Sequence, residues 1–409
     1  MPDDGPQPTM LGKLIIFLFI AGCLFGAWWW LGRPGWPGGS SAPAGGNPSG
    51  PPTAADPVPP AGGQTGGVAI TIAYGSEKKR WLEWAKDEFA RSDAGRGIAI
   101  ELMSVGSQEG AQRVIDNKQP IHAWAPASSA WESTFRGDFQ VRHGSDPIGR
   151  REVLALSPMV YVWWKERYQA FTAKFGGGDA KNLATALSEP TGWAGIAGKP
   201  DWGLLKFSHT RPDQSNSGLM ALALLASEYH GKTRALVQAD VLDAGFQKWL
   251  SGIESAVTGM EGSTGDMMKA MVQRGPSSYD CVLVYEAVAI DFMAAAQGRW
   301  GELTVVYPRN NVWNDNPFYV IKAPWASPAQ QRAAGVFCDF LLGEAAQRKA
   351  LEHGFRPGNT SVPVLGPDSP FTKYAGNGLR NDLNTVIEVP PAEVITTLLM
   401  SWQRLRAGR

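Results

Sequence analysis

The sequence has no excess of charge of either sign and very little cysteine, and each shortage excludes a class of protein. Lysine plus arginine number 38 and aspartate plus glutamate also number 38, so the formal net charge is zero. A balanced chain gives no electrostatic reason to expect a nucleic-acid partner. Three cysteines among 409 residues cannot build a disulfide scaffold.

Signatures of catalysis are missing as well. The five histidines show no HExxH or other metal-ligand spacing. The sequence has no Walker loop, no GxGxxG after a strand and no GxSxG elbow. We therefore predict no catalytic residue, no metal and no cofactor, and we expect that the protein is not an enzyme. An enzyme built on this chain would need a nucleophile or a metal that no motif supplies.

The chain begins with an apolar run. The length of 409 residues predicts two or three domains. Residues 14–32 carry no charged side chain, and 19 helical residues would span about 28 Å, the thickness of a hydrocarbon core. Trp28, Trp29 and Trp30 stand at the end of this run, where indole rings favour the headgroup interface. We predict a transmembrane signal anchor over 14–32 and a cytoplasmic head over 1–13.

The sequence also contains an alternative to the transmembrane anchor and a linker that follows it. The tetrapeptide IAGC, which ends at Cys23, has the form of a lipobox, so a lipoprotein anchored at Cys23 is the alternative. Residues 33–67 contain ten glycines and nine prolines among 35 positions and have almost no large apolar side chain. Such a composition cannot bury enough surface to fold. We predict a disordered linker there, followed by a globular part from Val68 onward.

The globular part alternates apolar strands with helices. Val68–Tyr74, Gly97–Val105 and Ile121–Trp124 have the composition of buried strands, and Glu77–Arg91 places its large apolar residues at helical spacing. This alternation predicts an α/β fold in which helices cover a parallel sheet. In such sheets ligands bind at the carboxyl ends of the strands.

The predicted strand-to-helix loops share one chemistry. They are small, rich in glycine and hydroxyl residues, and comprise Tyr74–Ser76, Val105–Ser107, Ala127–Ser129, Asp213–Gly218 and Glu261–Gly265. Helix starts offer free amides and the positive end of the helix dipole, which suits a polar or anionic ligand. Each loop is also an ordinary helix N-cap, and Ser129 with Glu132 forms a capping-box pattern.

The order of these segments resembles the bacterial extracellular solute-binding proteins with the type 2 periplasmic-binding fold, on the molybdate and sulfate side of that group. The resemblance runs from Val68 to about Asn359. Its carriers are ITIAYGSEK, IHAWAPASSAW, LKFSHTRPDQSNSGL, GSTGDMMKAMVQRGPSSYDCVLVYE, YPRNNVWNDNPF and GFRPGN. Membrane-anchored members that stand alone or join a von Willebrand A domain are especially similar.

The resemblance implies two lobes joined by two crossover strands. The first crossing would be Arg151–Trp163 and the second Leu303–Ile321. Lobe I would combine 68–158 with 314–409, and lobe II would be 159–313. The last apolar run, Val394–Leu405, reads as a helix that packs on lobe I or faces a partner. Cys281 and Cys338 lie in apolar segments and are expected to be buried thiols.

Ligand contacts implied by the resemblance fall on matching loops. They are, in lobe I, Ser76, Ser107, Ser128 and Ser129, and, in lobe II, Ser215, Asn216, Ser217, Ser263, Thr264, Tyr285 and Glu286. Glu286 departs from the family pattern, because a carboxylate at this position would repel an oxyanion ligand. It is expected to pair with Arg211, to bind a cationic group of the ligand, or to cap the following helix. Ser217 is expected to be part of the tightest anchor.

These features predict a membrane-tethered, extracytoplasmic solute-binding protein. Its partner would be a small polar or anionic ligand, with an oxyanion as one candidate, delivered to an ABC-type transporter or a sensor. The alternative is a ligand-independent envelope module that reuses the fold to hold another protein, such as one with a von Willebrand A domain. No nucleic acid is expected.

Overall fold

The computed structural model describes residues 67–383 and 385–407. The predicted head, membrane anchor, lipobox cysteine and nearly all of the linker lie outside these residues. No helix of the described ranges has both the length and the apolar character needed to cross a bilayer.

The described chain alternates strands and helices. The strands are β1 (Val68–Tyr74), β2 (Ile98–Ser104), β3 (Ala123–Ala125), β4 (Ile148–Val153), β5 (Ala155–Trp164), β6 (Phe207–His209), β7 (Cys281–Tyr285), β8 (Leu303–Val306), β9 (Trp313–Asn314), β10 (Pro317–Ile321) and β11 (Arg356–Pro357). The helices are α1 (Lys79–Arg91), α2 (Ser107–Asp116), α3 (Glu132–His143), α4 (Lys165–Phe175), α5 (Ala180–Leu187), α6 (Trp193–Ala197), α7 (Asn216–His230), α8 (Gln238–Leu242), α9 (Ala244–Ala256), α10 (Thr264–Arg274), α11 (Glu286–Ala296), α12 (Pro328–Leu342), α13 (Glu344–Glu352), α14 (Pro370–Lys373) and α15 (Ala392–Ala407).

The strands form two sheets. The first has the order β2-β1-β3-β10-β4, with β1 parallel to β2 and β3 and with β10 antiparallel to both of its neighbours. The second has the order β11-β5-β7-β6, and β8 and β9 also pair with β5. Within it β6 and β7 run parallel, whereas β5 is antiparallel to β7. This two-sheet α/β architecture agrees with the fold class that the sequence predicts.

The chain passes between the sheets in the two segments, Arg151–Trp163 and Leu303–Ile321, where the resemblance implies crossings. Residues 148–164 are extended except at Leu154, which separates β4 in the first sheet from β5 in the second. The return runs from β8 through β9, which still pairs with β5, to β10 in the first sheet. Each predicted crossing is therefore more than one strand, because its residues pair with both sheets in turn.

The return segment is held by buried asparagines. The Asn311 side chain accepts a hydrogen bond from the backbone of Met159 at 3.0 Å and donates one back at 2.8 Å, so it mimics a neighbouring strand. Asn314 donates to the carbonyl of Ser157 at 3.1 Å. Asn316 has a φ of +38°, a conformation that asparagine tolerates better than most residues. These bonds fix the polar bend between β8 and β10.

The C-terminal segment differs from its prediction. Helix α15, which contains the apolar run Val394–Leu405, packs on α7, α8 and α9 beside the second sheet and not on lobe I. Its Trp402 donates to the carboxylate of Glu254 in α9 at 3.0 Å. The hydrophobic spacing correctly indicated a packed helix, but spacing alone does not say which surface the helix covers. The thiols of Cys281 and Cys338 are buried and free, as predicted.

Candidate functional site

A cavity of about 310 Å³ lies where the strand-to-helix loops of both sheets meet. Its walls come from the loops after β1, β2 and β3, from the starts of α7 and α10, and from the end of β7. The lining residues are Gly75, Ser76, Glu77, Ser104, Val105, Gly106, Ser107, Glu109, Ala127, Gln214, Ser215, Asn216, Gly262, Ser263, Asp266 and Tyr285. Most of this surface is polar.

Of the eleven predicted site residues, six line the cavity and five do not. Those on the wall are Ser76, Ser107, Ser215, Asn216, Ser263 and Tyr285. Those elsewhere are Ser128, Ser129, Ser217, Thr264 and Glu286. The structure thus brings loops of the two sheets together at one place, as the sequence predicts. Several of their side chains, however, contact other parts of the protein and not the cavity.

Helix starts surround the cavity. Ser107 begins α2, Asn216 begins α7 and Thr264 begins α10, while Ser76 opens the 3₁₀ turn Ser76–Lys78. The first amides of a helix have no partner within it, and the dipole adds partial positive charge there. Ser107 accepts a hydrogen bond from the Ala127 amide at 3.1 Å, which leaves its own proton available. The cavity wall therefore contains neutral hydrogen-bond donors.

The serines after β3 are structural. Ser128 is buried and caps the turn Ser129–Trp131 by accepting from the Ala130 amide at 3.2 Å. The amide of Ser129 donates to Asp315 Oδ1 at 2.7 Å. The capping box predicted from Ser129 and Glu132 is not formed. The Glu132 carboxylate instead accepts from Arg151 at 3.0 Å, from Tyr319 at 2.8 Å and from Arg136 at 3.0 Å.

Ser217 lies under the cavity wall. Its side chain is fully buried, and its hydroxyl is 2.7 Å from Thr210 Oγ1, 3.1 Å from Ser215 Oγ and 2.7 Å from Thr264 Oγ1. This hydroxyl network joins the start of α7 to the start of α10. The structure therefore corrects the expectation that the Ser217 hydroxyl anchors a ligand: its bonds are made within the protein, as are those of Thr264.

Tyr285 presents its phenol to the cavity from the end of β7. Burial raises the pKa of Tyr285 well above its ordinary value, so the hydroxyl stays protonated. Its oxygen accepts from Asn216 Nδ2 at 2.9 Å. The second proton of that amide goes to Asn314 Oδ1 at 3.0 Å, and Asn216 Oδ1 accepts from Trp131 Nε1 at 2.8 Å.

Glu286 neither lines the cavity nor pairs with Arg211. It is the first residue of α11 and is fully buried. Burial raises its pKa, while Arg356 counters that effect through a two-pronged ion pair and Tyr307 donates a further hydrogen bond. Arg211 pairs with Asp213 instead, at 2.8 Å. Glu286 was singled out correctly as unusual, but the partner that neutralises it lies 70 residues further along the chain.

Three carboxylates reach the cavity, and each has a partner. Glu77 pairs with the buried Lys78, Glu109 pairs with Arg113 at 2.6 Å, and Asp266 accepts from Ser263 at 2.7 Å. No lysine or arginine stands among the described lining residues. Within the described ranges no cluster of three or more histidine, cysteine or acidic side chains could hold a metal ion.

Sequence reasoning missed the residue that supports the first of these loops. The Lys78 ammonium is completely buried and donates to Pro126 O at 3.1 Å and to Asn316 Oδ1 at 3.0 Å, as well as to Glu77. Burial lowers the pKa of Lys78. A lysine one residue after a glutamate resembles any exposed surface pair, so no local signal distinguishes it. The run of asparagines after β8 was the available hint of a buried polar site.

A family model described as bacterial extracellular solute-binding protein matches residues 70–356. This match covers more than half of the chain, and the chain belongs to that family. The resemblance read from the sequence is thereby confirmed. The family's description is that of binding proteins and not of enzymes. No curated protein sequence matches the chain.

Solved structures with similar folds bind chemically different solutes. The periplasmic thiamin binding protein has a TM-score of 0.56, 12% identity, and covers 84% of this chain and 98% of its own. The ferric binding protein from Campylobacter jejuni has a TM-score of 0.55, 11% identity, and coverage of 83% and 98%. The sulfate-binding protein SubI from Mycobacterium tuberculosis has a TM-score of 0.54, 14% identity, and coverage of 84% and 99%. At these identities the likeness shows the type 2 periplasmic-binding fold alone.

Proposed function

We propose that this solute-binding protein captures a small polar ligand in the cavity between the two sheets, outside the cytoplasm. The observation that carries the proposal is the meeting of Ser76, Ser107 and Tyr285 around one cavity, beside the first amides of several helices. These groups can donate hydrogen bonds, so the ligand should present acceptor oxygens or nitrogens.

The charges around the cavity restrict the ligand further. The wall itself carries neutral donors and partnered carboxylates, whereas the cationic side chains of Lys79, Arg80 and Lys269 line an adjoining cavity that shares Ser76 and Ser263 with it. A cavity of about 310 Å³ is at the lower end of the usual size for small-molecule sites. A compact ligand held by hydrogen bonds fits these properties, and an oxyanion bound by amides and hydroxyls remains within that description.

A thermal-shift screen of the full chain in detergent tests the proposal. The panel should contain sulfate, molybdate, phosphate, neutral sugars, amino acids and thiamin. A ligand that binds the folded state raises its melting temperature in proportion to the logarithm of its concentration. The increase should disappear in Ser107→Ala if the cavity is the site. An equal increase in that variant would place the ligand elsewhere.

We further propose a hinged mode of capture, in which two lobes close on the ligand. We take lobe I as 68–158 with 314–359 and lobe II as 159–313 together with α15, so that the ligand contacts both lobes. The two connections between the sheets would then act as the hinge. Hydrogen exchange of the full chain should slow at the starts of α2 and α10 when the ligand is added.

We also propose that the apolar run 14–32 tethers this protein to the membrane, with the globular part on the outer side. Its support is the length and composition of that run and the family to which the chain belongs. An ABC-type permease is the partner that a solute-binding family suggests. Reporter fusions at residue 60 that are active only in the cytoplasm would contradict this topology. A mature protein that begins at a lipid-modified Cys23 would contradict the anchor alone.

A further inference from the structure

A second cavity adjoins the proposed ligand cavity. We call the cavity of about 310 Å³ described above the inner cavity, and the adjoining one, of about 360 Å³, the outer cavity. The residues that line both of them are Ser76, Glu77, Ser104, Ser263 and Asp266. The two cavities are therefore neighbouring parts of one cleft, and a ligand in the inner part can extend into the outer part.

The outer cavity carries the cationic side chains that the inner cavity lacks. Lys79 and Arg80 reach it from the first turn of α1, which packs on β2 of the first sheet, and Lys269 reaches it from α10, which packs on β7 of the second sheet. The first turn of α1 contains no acidic residue. Cations are unfavourable at a helix start, where the dipole is already positive, so an anion in the outer cavity would stabilise this turn.

Two of the three carboxylates of the outer cavity are already paired with cations. Glu77 pairs with the ammonium of Lys78, which is buried behind the cavity wall. Asp291 accepts from the Arg80 guanidinium at 3.2 Å. Asp266 is the third carboxylate that lines the outer cavity. The Arg80 charge is therefore compensated within the protein, and the charges of the two lysines remain to be considered.

These two lysines have little compensation. Lys79 Nζ is 3.9 Å from Glu83 Oε1, and both side chains are more than half exposed, so this ion pair is weak. Lys269 forms no ion pair within the described part of the chain. Asp266 opposes these two cations, and its carboxylate also accepts from the Ser263 hydroxyl at 2.7 Å. The outer cavity therefore has an excess of positive charge.

The outer cavity also offers carbon surface to a ligand. Val288 and Phe292 line it from α11, where Val288 is buried and Phe292 is half-buried. The Phe292 ring centroid lies 5.6 Å from the guanidinium carbon of Arg80. An inorganic oxyanion has no carbon atoms that could cover this surface, whereas the methylene or ring carbons of an organic ligand would pack on it.

We propose that the ligand is an organic anion that occupies both cavities. Its uncharged, acceptor-rich end lies in the inner cavity, where the donors are neutral, and its carboxylate or phosphate group lies in the outer cavity beside Lys79 and Lys269. The compact group that fits the inner cavity is then one end of a longer molecule. This inference rests on the proposed function, since it takes the inner cavity as a ligand site. Because the two lysines belong to α1 and α10, the anionic group can be held from both lobes.

Isothermal titration calorimetry of the full chain in detergent, with matched probes, tests this inference. Glucose, glucuronate and glucose 6-phosphate share one ring and differ in charge, and glycerol, glycerate and glycerol 3-phosphate form a second such set. Inorganic phosphate and sulfate are the probes without carbon. We expect an anionic member of at least one set to bind about tenfold or more tightly than its neutral member. Raising the NaCl concentration from about 50 mM to about 500 mM should weaken that anionic member only, because salt screens exposed charges.

Two lysine variants identify the group that holds the anion. Lys269→Gln and Lys79→Gln should each reduce the affinity for the anionic member about tenfold and so bring it close to that of the neutral member. Lys248→Gln in α9 is the matched control, because Lys248 is exposed and lines neither cavity. All three lysines are exposed, so the variants should fold normally, which circular dichroism verifies. Comparison of the carboxylate with the phosphate member shows which anionic group is preferred.

Three results would overturn this inference. It fails if no organic anion binds more tightly than its neutral counterpart, if inorganic phosphate or sulfate binds as tightly as the organic anions, or if the preference persists in both Lys269→Gln and Lys79→Gln. The proposed function survives each of these results when Ser107→Ala abolishes the binding that remains. Binding of an anionic probe that requires Lys269 but not Ser107 would contradict the proposed function as well, because the ligand would then lie in the outer cavity alone.

Discussion

The Arg356 guanidinium and the Glu286 carboxylate face each other in a buried, two-pronged ion pair, with Nε and Nη2 each 2.8 Å from a carboxylate oxygen. Arg356 lies in β11 beside the start of β5, and Glu286 begins α11. Arg356 also donates to the carbonyl oxygens of Arg380 and Asn381. One side chain thereby joins the second sheet to the C-terminal segment.

Replacing Arg356 should be severely destabilising. Arg356→Gln would leave the Glu286 carboxylate buried without a countercharge, which costs about 3–5 kcal/mol of unfolding free energy. Glu286→Gln should also be strongly destabilising, because it leaves the buried guanidinium without its countercharge and sets an amide NH2 against one of its donors. The double variant removes both charges and should lose less stability than the sum of the two single losses. Denaturant unfolding of the three variants measures this coupling, and additive losses would contradict the pairing.

Stability should depend on pH through His209. His209 Nδ1 lies 2.8 Å from the Thr210 carbonyl oxygen, and His209 Nε2 lies 2.8 Å from Glu254 Oε1. The carbonyl oxygen is always an acceptor, and the Glu254 oxygen is one when that carboxyl group is ionised. Burial by itself would lower the pKa of His209, but Glu254 outweighs burial and raises it. The buried imidazole is therefore a cation paired with a carboxylate whose own pKa is lowered by that cation.

The direction of the pH effect follows from these two shifts. A raised histidine pKa contributes stability that is complete below about pH 6.5 and is lost as pH rises through the pKa of the folded state. The lowered pKa of Glu254 contributes stability that is lost as pH falls below about 4.5. The pair is thus most stabilising between these limits. His209→Gln should abolish the alkaline loss in denaturant unfolding at pH 6 to 9, and an unchanged slope would contradict the assignment.

Ser217→Ala should affect folding more than binding. The substitution removes the centre of the buried hydroxyl network, and Thr210 and Thr264 each lose a partner, so we expect a loss of about 1–3 kcal/mol in unfolding free energy. Ligand affinity measured well below the melting temperature should change little. A tenfold or greater loss of affinity with normal stability would instead mean that Ser217 contacts the ligand.

Variants of the cavity-wall residues should affect ligand binding more than folding. Ser76→Ala and Tyr285→Phe each remove one donor from the wall and should weaken ligand binding about 10- to 150-fold if the acceptor is charged. Ser188→Ala, on the exposed end of α5, should bind like the unaltered protein. Isothermal titration calorimetry on the full chain provides the comparison. Unchanged affinity in both wall variants would favour the envelope interaction module.

The contributions of Lys78 and Glu77 to the free energy of unfolding should be coupled. Lys78→Met removes the buried ammonium and leaves the Glu77 carboxylate uncompensated beside the cavity, which should cost about 3–5 kcal/mol in unfolding free energy. Adding Glu77→Gln should recover part of that loss, since the carboxylate then no longer needs a countercharge. A double-mutant cycle by denaturant unfolding measures the coupling. Additive losses would mean that Lys78 acts only through Pro126 and Asn316.

The sequence was most informative where the chemistry is local. Val68–Tyr74 is a strand with the predicted bounds, because an uninterrupted apolar run between turn residues has few alternatives. The Ser76 and Ser107 loops follow two parallel strands of one sheet, so their meeting at one edge could be predicted. Ser217 was assigned the wrong task, because a helix-start pattern does not tell which side chains of the first turn face outward.

Long-range partners were the part that could not be predicted. Lys78 meets Asn316 across 238 residues of sequence, and Trp131 meets Asn216 across 85. Nothing in the neighbourhood of either residue indicates the other, since each pair forms only after both sheets have been assembled. The surface on which α15 packs could not be predicted for the same reason. Its apolar face fits any complementary surface, and the exposed surface of α7 to α9 becomes available only in the folded chain.

The pairing of β5 has a consequence for the order in which the protein folds. Nine of the ten residues of β5 are buried, and its partners β7, β8, β9 and β11 all come from the later part of the chain. A ribosome therefore releases this strongly apolar segment long before any of its partners exists. An unpaired apolar strand is prone to aggregate, and high contact order slows folding. The newly made chain should need a chaperone to shield β5 until β11, the last of its partners, has emerged.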